Sequence, residues 1–144
     1  MSKQVKSFLQ SIRSERLEIE YLSNLVEELR TSLLPSAIRY DKISVQTSPD
    51  PDPMTDIIAK IDKYEQKIRQ NLEALISRYN EATELVMSLD KTEHRQVLYL
   101  YYLSQTRLTW INVADKMDYS EQRIYQLHNE AIDILQRAEN ERLE

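Results

Sequence analysis

The sequence predicts an all-α protein, with a long antiparallel helical hairpin followed by a three-helix helix-turn-helix domain. The chain has 144 residues with no Gly, four Pro and 30% charged residues, a composition typical of long helices with few tight turns. Apolar residues recur at steps of three and four along two long segments, and then along shorter ones. We therefore divide the chain into residues 1–90, the hairpin, and residues 91–144, the helix-turn-helix domain.

The first long segment, residues 1–34, carries one apolar seam that only Glu15 interrupts. Pro35 should end this helix at about residue 34, because proline disfavours helical geometry in the residue before it. A helix of this length spans roughly 45 to 50 Å, so another helix must pack along it. The seam residues are Val5, Phe8, Ile12, Ile19, Leu22, Val26, Leu29 and Leu33.

Residues 35–53 form the one proline-rich stretch, with Pro and Asp alternating at its end. This composition favours an extended link, either disordered or ordered by a partner. Ile43 and Val45 suggest a short strand. Asp52 as a cap and Pro53 at the first helical position predict where the next helix begins.

The second long segment repeats the seam, with Glu65 as its single exception. Glu15 and Glu65 either pair with Lys or Arg across the hairpin or face a gap. Two such hairpins can associate as a four-helix coiled-coil bundle, so we expect a homo-oligomer, with a homodimer favoured. The seam residues are Ile58, Ile61, Ile68, Leu72, Leu75, Tyr79, Ala82, Val86 and Leu89.

A third helix should run from Lys91 to about Ser104, started by a capping box of Asp90 and Glu93. It is apolar on nearly all sides and should be buried behind the helices that follow. Its tyrosines and the following tryptophan are expected to pack in the core rather than contact bases, with one tyrosine hydroxyl allowed to reach the surface. These residues are Tyr99, Tyr101, Tyr102 and Trp110.

Residues 109–135 contain two helical faces separated by a polar break. Thr109 and Ser120 can each accept a hydrogen bond from a free backbone N–H, and so cap the two helices. Two short helices joined by a three-residue turn predict a helix-turn-helix, whose second helix, residues 120–135, would lie in the DNA major groove. An ordinary helical hairpin is the alternative.

This region resembles the fourth region of bacterial sigma factors, which recognises the upstream promoter element. The matching residues run unbroken from Leu89 to Leu135 and include LTW at Leu108 and RIYQL at Arg123. The resemblance implies a transcriptional regulator that binds double-stranded DNA. A complete sigma factor is not expected, because its promoter-melting region is rich in aromatic residues and residues 1–90 have one Phe and no Trp.

The segment YDKISVQTS, from Tyr40 to Ser48, resembles small regulators encoded by phages and prophages of Gram-positive bacteria. These are late-gene activators of the RinA and ArpU type. The resemblance implies a phage or prophage protein, with host RNA polymerase as a further candidate partner.

The polar face of the second motif helix supplies the candidate DNA contacts. Glutamine can pair with adenine N6 and N7, and glutamate can accept from cytosine N4; the alternative is a solvated surface. Sigma factors commonly carry a basic residue where this chain has Glu121, so the target sequence does not transfer. The base-contact candidates are Glu121, Gln122, Tyr125, Gln126 and Asn129, and the phosphate-contact candidates are Arg107, Lys116 and Arg123. Arg95 is expected to be a solubilising charge.

Other classes of function find no support in the residues. There is no Cys, there are two His, and there is no Gly-rich phosphate loop or catalytic triad spacing, so we expect no enzyme, no metal and no cofactor. His128 should be a surface or DNA-facing residue. The longest apolar run, residues 97–103, is too short for a membrane span, and a cytoplasmic protein is expected.

The charge balance opposes DNA binding. The net charge is −5, and residues 91–144 contain seven Lys and Arg against nine acidic residues, whereas phosphate binding calls for clustered cations. Binding by one domain should be weak, and avidity or a partner protein would be needed. Two alternatives remain: a DNA-packaging subunit similar to a small terminase, and a helical interaction protein that does not bind DNA.

Overall fold

The computed structural model describes the backbone of residues 4–43 and 53–143, and the side chains of residues 4–33 and 53–143. Within these ranges the protein is helical and has no strand, which confirms the predicted all-α class. A π-helical turn, Tyr99–Leu103, continues α3. The helices are α1 (Val5–Ile43), α2 (Pro53–Met87), α3 (Thr92–Leu98), α4 (Trp110–Met117) and α5 (Glu121–Arg142).

The chain divides into two compact units. The first, here the motif unit, comprises Met1–Glu15 and Leu75–Glu144, and the second, the hairpin unit, comprises Arg16–Ala74. Both long helices therefore contribute to both units. The motif unit contains the predicted helix-turn-helix together with the first turns of α1 and the end of α2.

In the hairpin unit, α1 packs on α2 through an apolar stripe that includes Leu22, Val26 and Ile61. Glu65 forms an ion pair with Arg30 of α1 at 3.0 Å. Of the two alternatives that the sequence left open, Glu65 therefore pairs across the hairpin and does not face a gap. In the motif unit, Glu15 pairs with Arg78 in the same way. In both ion pairs a residue of α1 meets a residue of α2, which confirms that these two acids bridge the helices.

The seam of α2 differs from the predicted one at two positions. Ile58 is 54% exposed and Leu72 is 39% exposed, whereas Tyr64 and Asn71 are half-buried. The predicted seam residues Ile61, Leu75, Ala82, Val86 and Leu89 are buried, so the prediction fails only at Ile58 and Leu72. An apolar side chain can remain on the flank of a helix pair, and spacing alone does not distinguish the flank from the contact line.

The predicted end of α1 at residue 34 is wrong, because the helix continues through Pro35 to Ile43. A proline inside a helix removes one N–H donor at a cost of about 3 kcal/mol, but it leaves the backbone bonds beyond it intact. Residues 35–43 of the predicted 35–53 link are therefore helical, and no strand forms at Ile43. Val45 and Asp52 lie outside the described residues, and Pro53 is the first residue of α2, as predicted.

The core of the motif unit is built on the inner face of α5. Its apolar residues are buried at each helical repeat, and the first turns of α1 supply further fully buried side chains. The backbone N–H of Val5 donates to Oε1 of Gln136 on α5 at 2.9 Å, which joins the start of α1 to α5. The buried residues of α5 and α1 are Ile124, Leu127, Ala131, Leu135, Val5, Leu9 and Ile12.

Of the three caps that were predicted within the described residues, two are present. Thr109 accepts from the Asn112 N–H and forms a capping box with it, and Ser120 accepts from the Arg123 N–H at 3.1 Å. The predicted capping box at the start of α3 is wrong, because the residue before α3 is Lys91, which makes no side-chain cap bond.

Arg95, expected to be a solubilising charge, instead serves the junction between α2 and α3. Its Nη1 donates to the carbonyl oxygens of Leu89 at 2.6 Å and Asp90 at 3.2 Å. Carbonyls between two helices have no partner within either helix, and the guanidinium supplies one. The acid at residue 90 therefore acts through its backbone rather than as a side-chain cap.

The turn between α4 and α5 depends on a left-handed residue, Asp118, with φ of 59°. Helices often end in this conformation at Gly, and Asp is among the few other residues that tolerate it. The Tyr119 N–H then donates to the Ala114 carbonyl at 3.0 Å. In a chain without Gly, Asp118 makes the tight turn possible.

Replacing Ser120 by Ala should lower the free energy of unfolding by about 1 kcal/mol, because the first turn of α5 loses a partner for one N–H. Urea unfolding followed by circular dichroism measures this change. Ser7→Ala, at an exposed position within α1, is the matched control and should be neutral or slightly stabilising. Equal stabilities of the two variants would contradict the role given to this cap.

Candidate nucleic-acid interface

The outer face of α5 carries all five residues predicted to contact bases, and each of them is exposed. Because the inner face of the helix is buried at helical spacing, the residues between those positions point away from the core. The helix also extends beyond the predicted residue 135, to Arg142. The exposed residues are Glu121, Gln122, Tyr125, Gln126 and Asn129.

The three cations predicted to contact phosphates lie in different surroundings. Arg107 and Lys116 are exposed. Arg123 is half-buried, and its Nη1 donates to Oε1 of Gln126 at 3.3 Å. Its guanidinium also lies 3.8 Å from a Glu93 oxygen and 3.9 Å from a Glu130 oxygen. Arg123 therefore has three acceptor atoms of the protein itself within 4 Å of its guanidinium.

Glu130 is fixed by a buried histidine that the sequence did not indicate. His94 of α3 is 3% exposed, and its Nε2 donates to Oε2 of Glu130 at 3.0 Å. This hydrogen bond, followed by the charge of Arg123, lowers the pKa of the Glu130 carboxyl below its usual value. The carboxylate is thus kept charged beside the outer face of α5. The two residues are 36 positions apart, and no local pattern links them.

The rings of Tyr101, Trp110 and Tyr125 form an aromatic column behind the outer face of α5. The Tyr101 and Trp110 rings stack with centroids 3.6 Å apart and planes 7° apart, and the edge of Trp110 meets Tyr125 at 5.4 Å. The prediction that Trp110 packs on the preceding helix is confirmed. Tyr102 is buried as predicted, whereas Tyr99 is 48% exposed, so its predicted core position is wrong.

Arg13 of α1 stacks on the Tyr101 ring of this column. The guanidinium carbon of Arg13 lies 3.9 Å from the centroid of the Tyr101 ring, and Nη1 donates to the Tyr101 carbonyl at 2.7 Å. Stacking of a guanidinium on an aromatic face adds a cation–π attraction to the hydrogen bond. Sequence reasoning missed Arg13, because the partner lies 88 residues away and an arginine in a helical seam region looks like a surface charge.

His128 is the clearest error among the sequence predictions, because it is 4% exposed and not on the surface or facing DNA. Its Nε2 lies 2.7 Å from the Tyr102 hydroxyl, and its ring meets the edge of Trp110 at 4.9 Å. Burial lowers the pKa of His128, and burial also raises the pKa of the Tyr102 hydroxyl. The neutral imidazole therefore accepts a hydrogen bond from Tyr102.

Two further properties concern the described residues alone. Residues 4–43 and 53–143 contain no cluster of three or more His, Asp or Glu placed to hold a metal ion. None of the helices in these ranges combines the length and the apolar character that a membrane crossing requires.

Comparison with known protein families gives a match. A family described as "Protein of unknown function (DUF1492)" matches residues 36–136. The chain belongs to this DUF1492 family. No curated protein matches it, and neither does any solved structure.

The DUF1492 match contains α2, α3 and α4 and reaches Gln136 of α5. The matched range therefore includes the five exposed residues of α5 that were predicted to contact bases. Arg13 lies outside the matched range, although it closes the aromatic column. The family description names no activity or ligand.

The stability of this DUF1492 protein should fall as the pH is lowered below about 6.5, the ordinary pKa of histidine. The unfolded chain takes up a proton on His128 near that value, whereas the folded protein, with its lowered pKa, takes it up only at lower pH. Between the two values stability changes by up to about 1.4 kcal/mol per pH unit from this group. Urea unfolding between pH 5 and 8 measures the effect.

His128→Gln removes this titration but keeps an acceptor for Tyr102. The difference in stability between the wild type and the variant should therefore shrink as the pH falls. Other titrating groups are common to both proteins and cancel in the difference. A difference that stays constant over the range would show that the folded protein does not hold His128 neutral.

Proposed function

We propose that this protein is a sequence-specific DNA-binding transcriptional regulator, encoded by a phage or prophage, that acts in the cytoplasm with host RNA polymerase. The observation that carries the proposal is the exposed polar face of α5, the second helix of a helix-turn-helix, with Gln122 and Gln126 one turn apart on it. The resemblance of residues 89–135 to the fourth region of sigma factors supports the same assignment.

The geometry of α5 suits base recognition. In helix-turn-helix proteins the first residues of the second helix contact base edges in the major groove. Here Gln122, Tyr125 and Gln126 occupy the first two turns of α5 and are exposed. Tyr125 rests against the edge of Trp110, which restricts its side chain and lowers the entropy lost on binding.

The scarcity of free cations predicts that one domain binds weakly. Arg107 and Lys116 are the exposed candidates, whereas Arg123 already has acceptors of the protein around it. For each phosphate contact, the logarithm of the binding constant falls by about 0.9 when the salt concentration rises tenfold. We therefore expect a small salt dependence, and an affinity that relies on two linked domains.

The hairpin unit supports such a link. Its two helices leave large apolar side chains exposed on α1 and α2 among the described residues, and exposed apolar side chains of this kind favour a partner surface. Association of two hairpins into a four-helix bundle would bury such residues. The exposed residues are Leu17, Tyr21, Ile58 and Leu72.

Replacing Gln126 by Ala should weaken the discrimination at one or two base pairs by about 1 to 3 kcal/mol each, since a base-edge contact is lost. The measurement is a selection of bound DNA from a random pool, followed by affinity measurements on the selected site and its single-base variants. Gln70→Ala, an exposed glutamine of the hairpin unit, is the control and should leave discrimination unchanged. A wild type without any sequence preference at low salt would instead indicate a helical interaction protein.

Sedimentation of the wild type should show a dimer, and Tyr21→Glu should shift it toward the monomer, because a charge would enter the bundle interface. Tyr119→Glu, a similar change at an exposed tyrosine of the motif unit, is the control and should leave the dimer intact. A ring of many subunits would favour the alternative, a DNA-packaging subunit similar to a small terminase.

A further inference from the structure

The first turns of α1 pack against α5 within the motif unit. Val5, Leu9 and Ile12 are buried, and the backbone N–H of Val5 donates to Oε1 of Gln136 at 2.9 Å. Gln136 follows Asn129 by about two helical turns on α5, so the two residues lie on one stripe of the helix. Because Asn129 belongs to the exposed outer face, the start of α1 lies beside the surface that DNA would approach.

One flank of α1 carries two positive charges. Lys6 and Arg13 are also separated by about two helical turns, so they project from the same side of the helix. The Arg13 guanidinium carbon lies 3.9 Å from the Tyr101 ring centroid, and Nη1 donates to the Tyr101 carbonyl at 2.7 Å. The flank that carries Lys6 therefore faces the aromatic column of the motif unit.

Lys6 also lies close to His128 of α5. Burial is the main cause that lowers the pKa of His128, and the positive charge of Lys6 lowers this pKa further. Nε2 of His128 accepts from the Tyr102 hydroxyl, so Nδ1 carries the proton and donates to Oδ1 of Asn129 at 3.3 Å. Lys6 is therefore near a histidine that itself contacts the outer face.

The charge of Lys6 is available to a partner. Lys6 is exposed, and none of the residues that the structure describes forms an ion pair with it. Arg123, in contrast, has carboxylate oxygens of Glu93 and Glu130 at 3.8 and 3.9 Å from its guanidinium. The ammonium group of lysine is a compact charge on a flexible stem and binds phosphate as a point charge.

We infer that Lys6 of α1 contacts a DNA phosphate beside the major groove that α5 enters, so that the first turns of α1 are part of the DNA-binding surface. This inference rests on the proposed DNA-binding function. Arg13 is a positioning residue, because it holds this flank of α1 against Tyr101. Lys6 lies outside residues 36–136, so the contact adds to the part of the chain that the DUF1492 match covers.

The test compares the binding of the full-length wild type and Lys6→Ala to a labelled duplex that carries the selected site. Fluorescence anisotropy measures the binding constant over a fourfold range of salt concentration. Loss of one phosphate contact should reduce the slope of log binding constant against log salt by about 0.9 for each bound domain. Over this range the wild type should therefore lose about three- to fourfold more affinity than the variant for each bound domain.

The base preference of Lys6→Ala should equal that of the wild type, because phosphate contacts carry no sequence information. Lys60→Ala is the matched control, since it removes a lysine from an exposed position of the hairpin unit, and it should keep the wild-type slope. Lys6→Arg retains the charge and should keep the slope as well. Lys6→Gln repeats the measurement if circular dichroism shows that the alanine variant does not fold.

The outcomes separate the inference from the function on which it rests. An unchanged slope in Lys6→Ala, with sequence-specific binding retained, overturns the inference and leaves DNA binding in place. A loss of discrimination at particular base pairs would show that Lys6 contacts a base edge, and equal slope reductions in Lys6→Ala and Lys60→Ala would show a general effect of net charge. Either result also overturns the inference. A wild type without sequence preference removes the proposed function, and the inference with it.

Discussion

The candidate site depends on the burial of the inner face of α5. Ile124, Leu127, Ala131 and Leu135 are buried, and in a helix with 3.6 residues per turn their burial determines which way every other side chain points. The exposure of Gln122 and Gln126 is thus a consequence of core packing rather than an independent feature. A change that rotated this face would move the whole set of candidate contacts at once.

A second layer of contacts adds polar and aromatic restraint to this packing. The buried His128 accepts from Tyr102, and the stacked rings of Tyr101 and Trp110 lie between Arg13 and Tyr125. Buried polar groups of this kind have few alternative arrangements, because each unpaired donor or acceptor is costly. The first turns of α1 take part through Arg13, so the helix of the hairpin is also a component of the motif unit.

Some local features of the fold were predictable from the sequence, and the long-range contacts of the buried histidines were not. Thr109 and Ser120 cap their helices as predicted because a cap depends on the residue itself and its next three neighbours. The continuation of α1 through Pro35 was not predictable in this way. The local cost of a proline does not show how much stability the helical residues beyond it gain. The burial of His128 was not predictable either, because its partner, Tyr102, is 26 residues away in the sequence.

The surroundings of Arg123 change what the net charge of −5 implies for DNA binding. Non-specific binding to DNA arises almost wholly from cations on phosphates, and here one of the few cations near α5 already lies among acceptors of the protein. Under the proposed function, non-specific binding is then weak, while contacts from the exposed amides of Gln122 and Gln126 still discriminate between bases. Because selectivity in a genome depends on the ratio of specific to non-specific binding, an acidic protein of modest affinity can still be selective. The acidic surface is therefore compatible with sequence recognition, provided that two linked domains supply the affinity that the missing cations do not.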